Sequence, residues 1–329
     1  MKRQELSNCI FSSWYNNFKQ VTFKSYILKL PEDFIDYLNR DGIILPDNDE
    51  VKYSNELNEY SDDEDWGESY NENNSQPTFP DLKKQIDESI RKLGGSCFVK
   101  LNWSSPKDAG WISRDGTLKC SSFNDICLLL KSSDFITHDL TKPYEHCNDS
   151  LFTQPKDQYE LVLRRYIDII PGMEFRCFVK SNKLIAISQR HHATYFDYLL
   201  PLRDNLEIDI LNFYNANIKS KFADSNFVFD IYKSKSGRIQ LVDFNPFGKL
   251  TDSLLYDWEE LHEICLTDAK LPYFRIITSS DGGIQPGPNM TYGLPRDTID
   301  LACGEDYQKM IDFFNVNKLI VKPGDEDSQ

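Results

Sequence analysis

The chain has 329 residues, 40% hydrophobic and 13% aromatic, with 37 Lys and Arg against 52 Asp and Glu, a formal net charge of -15. Eleven acids and one base fall between Asp47 and Asn74, and three more acids follow Lys322, so the remaining body is close to neutral. It lacks the basic excess that binding nucleic-acid phosphates requires, no stretch approaches the roughly 18 apolar residues of a membrane helix, and Met1 to Trp14 lacks a signal-peptide core.

These exclusions predict a soluble, cytoplasmic protein with no nucleic-acid or membrane partner. The length suggests two domains at about 150 residues each. We place them at 1–150, an N-terminal lobe, and 151–322, a C-terminal lobe, followed by an acidic tail at 323–329. The eight cysteines include no C-x-x-C pair and read as reduced, mostly buried thiols. Of the five histidines, His191 and His192 are adjacent and would point to opposite faces of a strand, and the others are scattered in sequence.

Val21 to Pro46 reads as a small αβ unit: a strand near Phe23 to Leu28, a helix opened by Pro31, and a turn at Asp41-Gly42. From about 47 to 76 the chain is acidic and Asn-rich, with too few aliphatic residues to offset the entropy of ordering, so a disordered insert is predicted. Ser61, directly before Asp62-Asp63-Glu64, offers a docking or phosphorylation segment as the alternative to a solvated linker.

Leu82, Ile86, Ile90 and Leu93 then recur at helical spacing from Pro80 until Gly94-Gly95 stop the helix. Ser96 to Leu101 is a strand interrupted by Lys100, where a charge in an apolar run requires a partner. A polar loop, Asn102 to Gly110, precedes a helix over Ser122 to Leu130, and a Pro- and Ser-containing connection leads to Tyr159.

The second half is strand-rich. Leu161 to Asp168 precedes Pro171-Gly172, and Glu174 to Lys180 pairs with Leu184 to Arg190 around a Ser181-Asn182 turn. Arg176 falls opposite the apolar Phe175, Cys177 and Val179, aimed at a polar space. Asp204 to Phe222 is loosely helical. The alternation of helices and strands predicts an α+β or α/β architecture.

Asn226 to Gly248 reads as a hairpin closed by a two-residue loop, Ser236-Gly237. In that register Ile231 opposes Val242, Asp230 opposes Asp243, and Val228 opposes Asn245. One face then holds Phe227, Phe229, Ile231, Val242 and Phe244, and the other gathers Asp230, Asp243 and Asn245. Facing carboxylates repel unless a cation lies between them, and oxygen-only ligands suit Mg²⁺ better than Zn²⁺. A solvated hairpin would carry the same pattern. No G-x-x-x-x-G-K-[ST] or G-x-G-x-x-G run is present.

The order of a strand Lys, an Arg-bearing hairpin and a hairpin ending Asp243-Phe244-Asn245-Pro246-Phe247 resembles the ATP-grasp arrangement. More closely, the chain resembles the cell division cycle protein 123 family across nearly its whole length. The resemblance is carried by Phe11 to Trp14 with Phe23 to Ser25, Asp33 to Leu38 with Asp41-Gly42, Phe98 to Ser104, Pro106 with Asp108-Ala109 and Trp111, Glu174 to Phe178, and Val242 to Phe247.

The resemblance implies an ATP-grasp-like α+β fold with an ATP·Mg²⁺ site between two lobes. It assigns Lys100 to the nucleotide, with Ala109, Gly110 and Trp111 closing over it. By the same resemblance Arg165, Tyr166 and Ile167 form the adenine hinge, Asp168 meets the ribose, and Arg176 meets phosphate. Asp230, Asp243 and Asn245 would ligate Mg²⁺, and Arg190 is a possible second phosphate ligand whose face depends on an unsettled loop length. The family role is assembly of eukaryotic translation initiation factor 2 through its gamma subunit, in support of translation initiation and cell-cycle progression. The rival from another class is an active ATP-grasp ligase joining a carboxylate to an amine, for which the sequence offers no identifiable acceptor pocket or base.

Overall fold

The computed structural model describes residues 1–46, 77–113, 115–149 and 159–279. The expected acidic insert, the acidic tail and Cys303 lie outside the described residues, as do the positions from 150 to 158, next to the expected lobe division. Everything described belongs to one compact unit, residues 1–285, and the second unit, 286–329, lies outside the described residues. Among the described residues no helix is long and apolar enough to cross a membrane.

Two short helices open the chain, α1 (Arg3–Asn8) and α2 (Phe11–Phe18), followed by β1 (Ser25–Lys29) and α3 (Glu32–Asn39). The predicted helix is α4 (Pro80–Leu93): Pro80 sits in its first turn, where the missing N–H costs nothing, and Gly94 ends it at φ 104°, a left-handed angle that favours glycine. Next come β2 (Cys97–Lys100), β3 (Lys119–Cys120) and α5 (Phe123–Lys131), whose Ser122 cap accepts from the Asp125 N–H. Ser133 likewise caps α6 (Asp134–Thr141), a helix that the connection read from sequence does not anticipate.

Antiparallel pairing in the order β1-β4-β2-β3 makes a four-stranded sheet, with β4 spanning Glu160–Arg165. Leu161 and Leu163 point into a core shared with α3, α4, α5 and α6, while Val162 and Arg164 take the opposite face. The same alternation puts Val99 into the helical core and Lys100 on the other side.

A five-stranded sheet has the order β8-β7-β5-β6-β9, built from β5 (Glu174–Lys180), β6 (Lys183–Gln189), β7 (Phe227–Lys233), β8 (Ile239–Pro246) and β9 (Tyr273–Arg275). The β5–β6 turn uses Ser181 at φ 50° and Asn182 at φ 57°, the angles of a two-residue hairpin loop. One face packs against α2 and α7 (Leu199–Phe213), with Trp14 and Phe18 of α2 lying 5.3 and 5.0 Å from the Phe244 ring. At the apolar end of the other face, Phe178 and Val228 meet Trp258 and Leu261 of α8 (Trp258–Glu263).

The architecture is α+β, as expected. The chain passes between its two sheets more than once: α2, near the N-terminus, packs on the five-stranded sheet, and β4, beyond residue 150, completes the four-stranded one. β1 and β2 are joined in the smaller sheet only through that late strand, which pairs with both.

Candidate functional site

The β7–β8 hairpin differs from its predicted form in two places that offset each other. Its loop has three residues rather than two: the Ser234 N–H donates to the Arg238 carbonyl at 2.9 Å, and Gly237 adopts φ 81°. An odd loop alone would put the two acids on opposite faces. The register, however, shifts again between Asp230 and Ile231, so Ile231 pairs with Leu241 while Asp230 pairs with Asp243 and Val228 with Asn245. Leu241 therefore takes the core place expected for Val242 and is fully buried, whereas Val242 is half-buried.

The bulge lies where the two sheets meet. Arg164 of β4 donates through Nη1 to the Val242 carbonyl at 2.7 Å and through Nη2 to Thr22 Oγ1 at 3.2 Å. Thr22 Oγ1 donates to the Leu241 carbonyl at 2.8 Å, and the Leu241 N–H donates to the Val21 carbonyl at 2.7 Å. The Arg164 guanidinium is also 5.1 and 5.2 Å from the rings of Phe11 and Phe23. Burial lowers its pKa to about 10, against the opposing pull of Asp243. Its sequence signal was the one that singled out Lys100, a permanent charge inside an apolar strand.

Lys100 reaches from the same face of the four-stranded sheet and ion-pairs with Asp243 of the five-stranded sheet. Its ammonium also lies 5.5 Å from the Phe11 ring. Lys100 is only 2% exposed, so burial demands this partner. The residues after it are fastened on three sides: the Phe11 N–H donates to the Asn102 carbonyl, the Glu160 N–H to Asn102 Oδ1, and Trp103 Nε1 to the Leu6 carbonyl.

Arg176 is buried among polar partners. Its Nε and Nη2 donate to the two oxygens of Asp230, each at 2.8 Å, and its Nη1 donates to the Asp252 carbonyl at 2.7 Å. Burial, the largest single influence on Asp230, would raise its pKa; the charge and hydrogen bonds of Arg176, with Arg190 and Lys107 behind them, outweigh it and hold the carboxyl at about 2. Arg190 Nε stands 3.7 Å from Asp230 Oδ2, an ion pair beyond hydrogen-bonding distance, and burial and the Arg176 charge lower its pKa. Lys107 sits in the same field. The Arg190 charge first, then desolvation and the Arg176 charge, lower its pKa to about 8, although its side chain is open to solvent.

Ala109, Gly110 and Trp111 lie on a 3₁₀ turn, Lys107–Ile112, with Ala109 buried and Trp111 52% exposed. Two buried acids moor this segment: Asp108, part of the motif read from sequence, and Asp139, which that reading did not include. Asp108 accepts from Ser133 Oγ at 2.5 Å and from the Asp134 N–H at 2.7 Å. Asp139 accepts from the Ser104 N–H at 2.8 Å and from Ser104 Oγ at 2.9 Å, and burial raises its pKa to about 6. Asp139 belongs to α6, so no reading without that helix could bring it here.

The strand expected over Leu161 to Asp168 stops at Arg165, which leaves Tyr166, Ile167 and Asp168 in the loop that follows. Arg165 pairs with Cys97 and Val162 with Lys100, so the proposed hinge begins three residues along the ladder from Lys100, roughly 10 Å at the usual strand rise. The structure thus brings together Lys100, Asp243, Asp230, Arg176 and Arg190, places Asn245 on the acids' face by strand parity, and holds Arg165 to Asp168 at the end of β4.

The donor set suits Mg²⁺: two carboxylates directly opposed in the ladder with an amide two residues on, all hard oxygens. The surrounding cations suit a polyphosphate. Elsewhere, the histidines taken as scattered include His138 and His146, whose rings stack 6.2 Å apart beside Glu145 on the surface, with donor atoms within 4.8 Å of one another. Of the eight cysteines, six of the described ones are buried thiols and Cys265 is exposed.

This arrangement defines an α+β protein with a charged site at the junction of two sheets. A family model described as D123 matches residues 14–302. The "Translation initiation factor eIF2 assembly protein" of Xenopus tropicalis is 44% identical over 339 residues, covering 100% of both chains. The "Cell division cycle protein 123" of Yarrowia lipolytica is 44% identical over 282 residues, covering 84% of this chain and 72% of that protein. Among solved structures, Cdc123 from Schizosaccharomyces pombe superposes with a TM-score of 0.68 at 35% identity, covering 85% of this chain and 99% of that one. The chain belongs to the D123 family, the cell division cycle protein 123 family that its motifs resemble.

Proposed function

We propose that this chain is an ATP- and Mg²⁺-binding assembly factor for eukaryotic translation initiation factor 2, acting in the cytoplasm through the gamma subunit. The assembly role is supported by the names of full-length relatives. The nucleotide role rests on one observation: Lys100 from one sheet and Asp243 from the other meet in a cluster where cations outnumber acids.

In an ATP-grasp-like reading the backbone of Arg165, Tyr166 and Ile167 receives adenine, Asp168 accepts from the ribose, and Lys100 and Arg176 meet phosphate oxygens. The roughly 10 Å between the hinge and Lys100 is on the scale of a nucleotide lying along the ladder. Ala109, Gly110 and Trp111 cover the phosphates, positioned by the moorings of Asp108 and Asp139. Asp230, Asp243 and Asn245 would hold Mg²⁺, which when bound supplies positive charge to phosphate oxygens.

Because Lys100 and Asp243 belong to different sheets, a ligand that engages both biases how the sheets are held together. It shifts that equilibrium by its differential affinity for the two states, which is how a nucleotide would prepare a surface for a protein partner.

Binding of a fluorescent ATP analogue, with and without Mg²⁺, on the parent and on Asp243→Ala tests the site. Unchanged affinity in the variant refutes it. Purified gamma subunit retained by the immobilised chain more strongly with ATP·Mg²⁺ than without supports the partner, and equal retention removes the nucleotide from the role.

A further inference from the structure

Both acids proposed as metal ligands already hold protein cations. Asp243 is paired with Lys100, and Asp230 is gripped through both oxygens by Arg176, with Arg190 a further 3.7 Å contact away. The cluster thus contains three cations against two carboxylates, and Arg164 sits behind it on the Val242 carbonyl. A divalent cation arriving alone would meet a surplus of positive charge and acids whose lone pairs are in use. A polyphosphate would meet the reverse: cations that gain by turning toward it, leaving the carboxylates bare and directly opposed across one ladder position. Facing acids without a counterion are the arrangement that recruits a metal.

We propose that Lys100 and Arg176 act as placeholders on the metal ligands, so that the cation site exists only once a polyphosphate has drawn them away. This deepens the ATP·Mg²⁺ reading and rests on it. The polyphosphate binds first, or together with its own metal, and the acids take up the ion afterwards. Arg190 is a third phosphate-receiving cation, since its long contact with Asp230 is the weakest of the set and the first to be given up.

Mn²⁺ followed by electron paramagnetic resonance, on the full chain, reads the order directly. Only binding that Asp243→Asn abolishes is counted, which removes Mn²⁺ held by the acidic segment between Asp47 and Asn74. In the parent, Mn²⁺ without nucleotide is expected to stay free, while a fluorescent ATP analogue binds in the presence of a chelator. Adding the nonhydrolysable triphosphate should tighten Mn²⁺ binding at the acids by at least about tenfold, within the usual range of coupling between two ligands.

Lys100→Met frees Asp243 and should gain Mn²⁺ binding without nucleotide, a change opposite in sign to general damage. Should that variant not fold, Arg190→Gln, whose side chain is 23% exposed, should weaken analogue binding in chelator and raise Mn²⁺ affinity in the absence of nucleotide. Mn²⁺ binding to the parent without nucleotide, as tight as with it, overturns the placeholder role and leaves the nucleotide site standing. Failure of the analogue to bind under any condition overturns both.

Discussion

Replacing Asp230 by Asn removes one charge and keeps the shape of the side chain, which isolates the ion pair with Arg176. The native carboxyl is held at about 2, well below its ordinary 3.8, equivalent at neutral pH to roughly 2–3 kcal/mol of native stability. Breaking a buried pair by removing one partner costs about 3–5 kcal/mol, but Asn still accepts one of the two Arg176 hydrogen bonds, so a loss of about 2–4 kcal/mol is expected. The sign with pH follows from the depressed native value. The contribution is complete above the unfolded pKa near 3.8 and disappears as pH falls through about 2. Urea unfolding of parent and Asp230→Asn at pH 7, repeated downward from pH 5 as far as the fold persists, should give two curves that converge toward low pH. A loss below about 1 kcal/mol at pH 7, or curves that stay parallel, would refute a charge-dominated pair.

The bulge is tested by a pair of truncations: Leu241→Ala should cost about 2–5 kcal/mol, whereas Val242→Ala should cost about 1 or less; the opposite ranking in chemical denaturation would mean the hairpin runs in its simpler register. Burial of Asp139 raises its native pKa to about 6, so the native state binds the extra proton between pH 4 and 6 and stability falls as pH rises through that window, by roughly 3 kcal/mol in all. Asp139→Asn should flatten this slope, and a slope unchanged in the variant assigns it to another group. Trp111 is 52% exposed, so Trp111→Ala should leave stability within about 0.5 kcal/mol while weakening the ATP analogue; equal analogue affinity in parent and variant would take Trp111 out of the site.

Much of the fold was legible because local rules and packing agree. The helix Pro80–Leu93 follows from apolar spacing and a glycine stop, and the β5–β6 hairpin follows from alternation around Ser181-Asn182. The grouping of Asp230 with Asp243 follows from strand parity, but its survival depends on two irregularities that restore each other: a three-residue loop and a bulge. Neither has a clear sequence mark, since Gly237 fits a loop of either length and nothing near Val242 announces an unpaired residue. α6 went unread because its one turn-and-a-half of apolar spacing is too short to stand out between Ser133 and Pro143.

Local sequence dictates which residue types are available and, along a regular strand, on which side they fall, because the two-residue repeat of a strand is local. It sets Lys100 within an otherwise apolar strand and Arg176 opposite Phe175 and Cys177, whereas Asp230 and Asp243 share a face only through the loop and the bulge together. What those charges meet is set by how the strands and sheets come together. Arg176 and Asp230, 54 positions apart, meet because β5 and β7 pair within one sheet, while Lys100 and Asp243, 143 positions apart, meet only because the two sheets dock along β8 through Arg164 and Thr22. A buried charge must find a partner, but which partner is set by the approach of elements distant in sequence, and that approach is fixed by packing rather than by any local pattern.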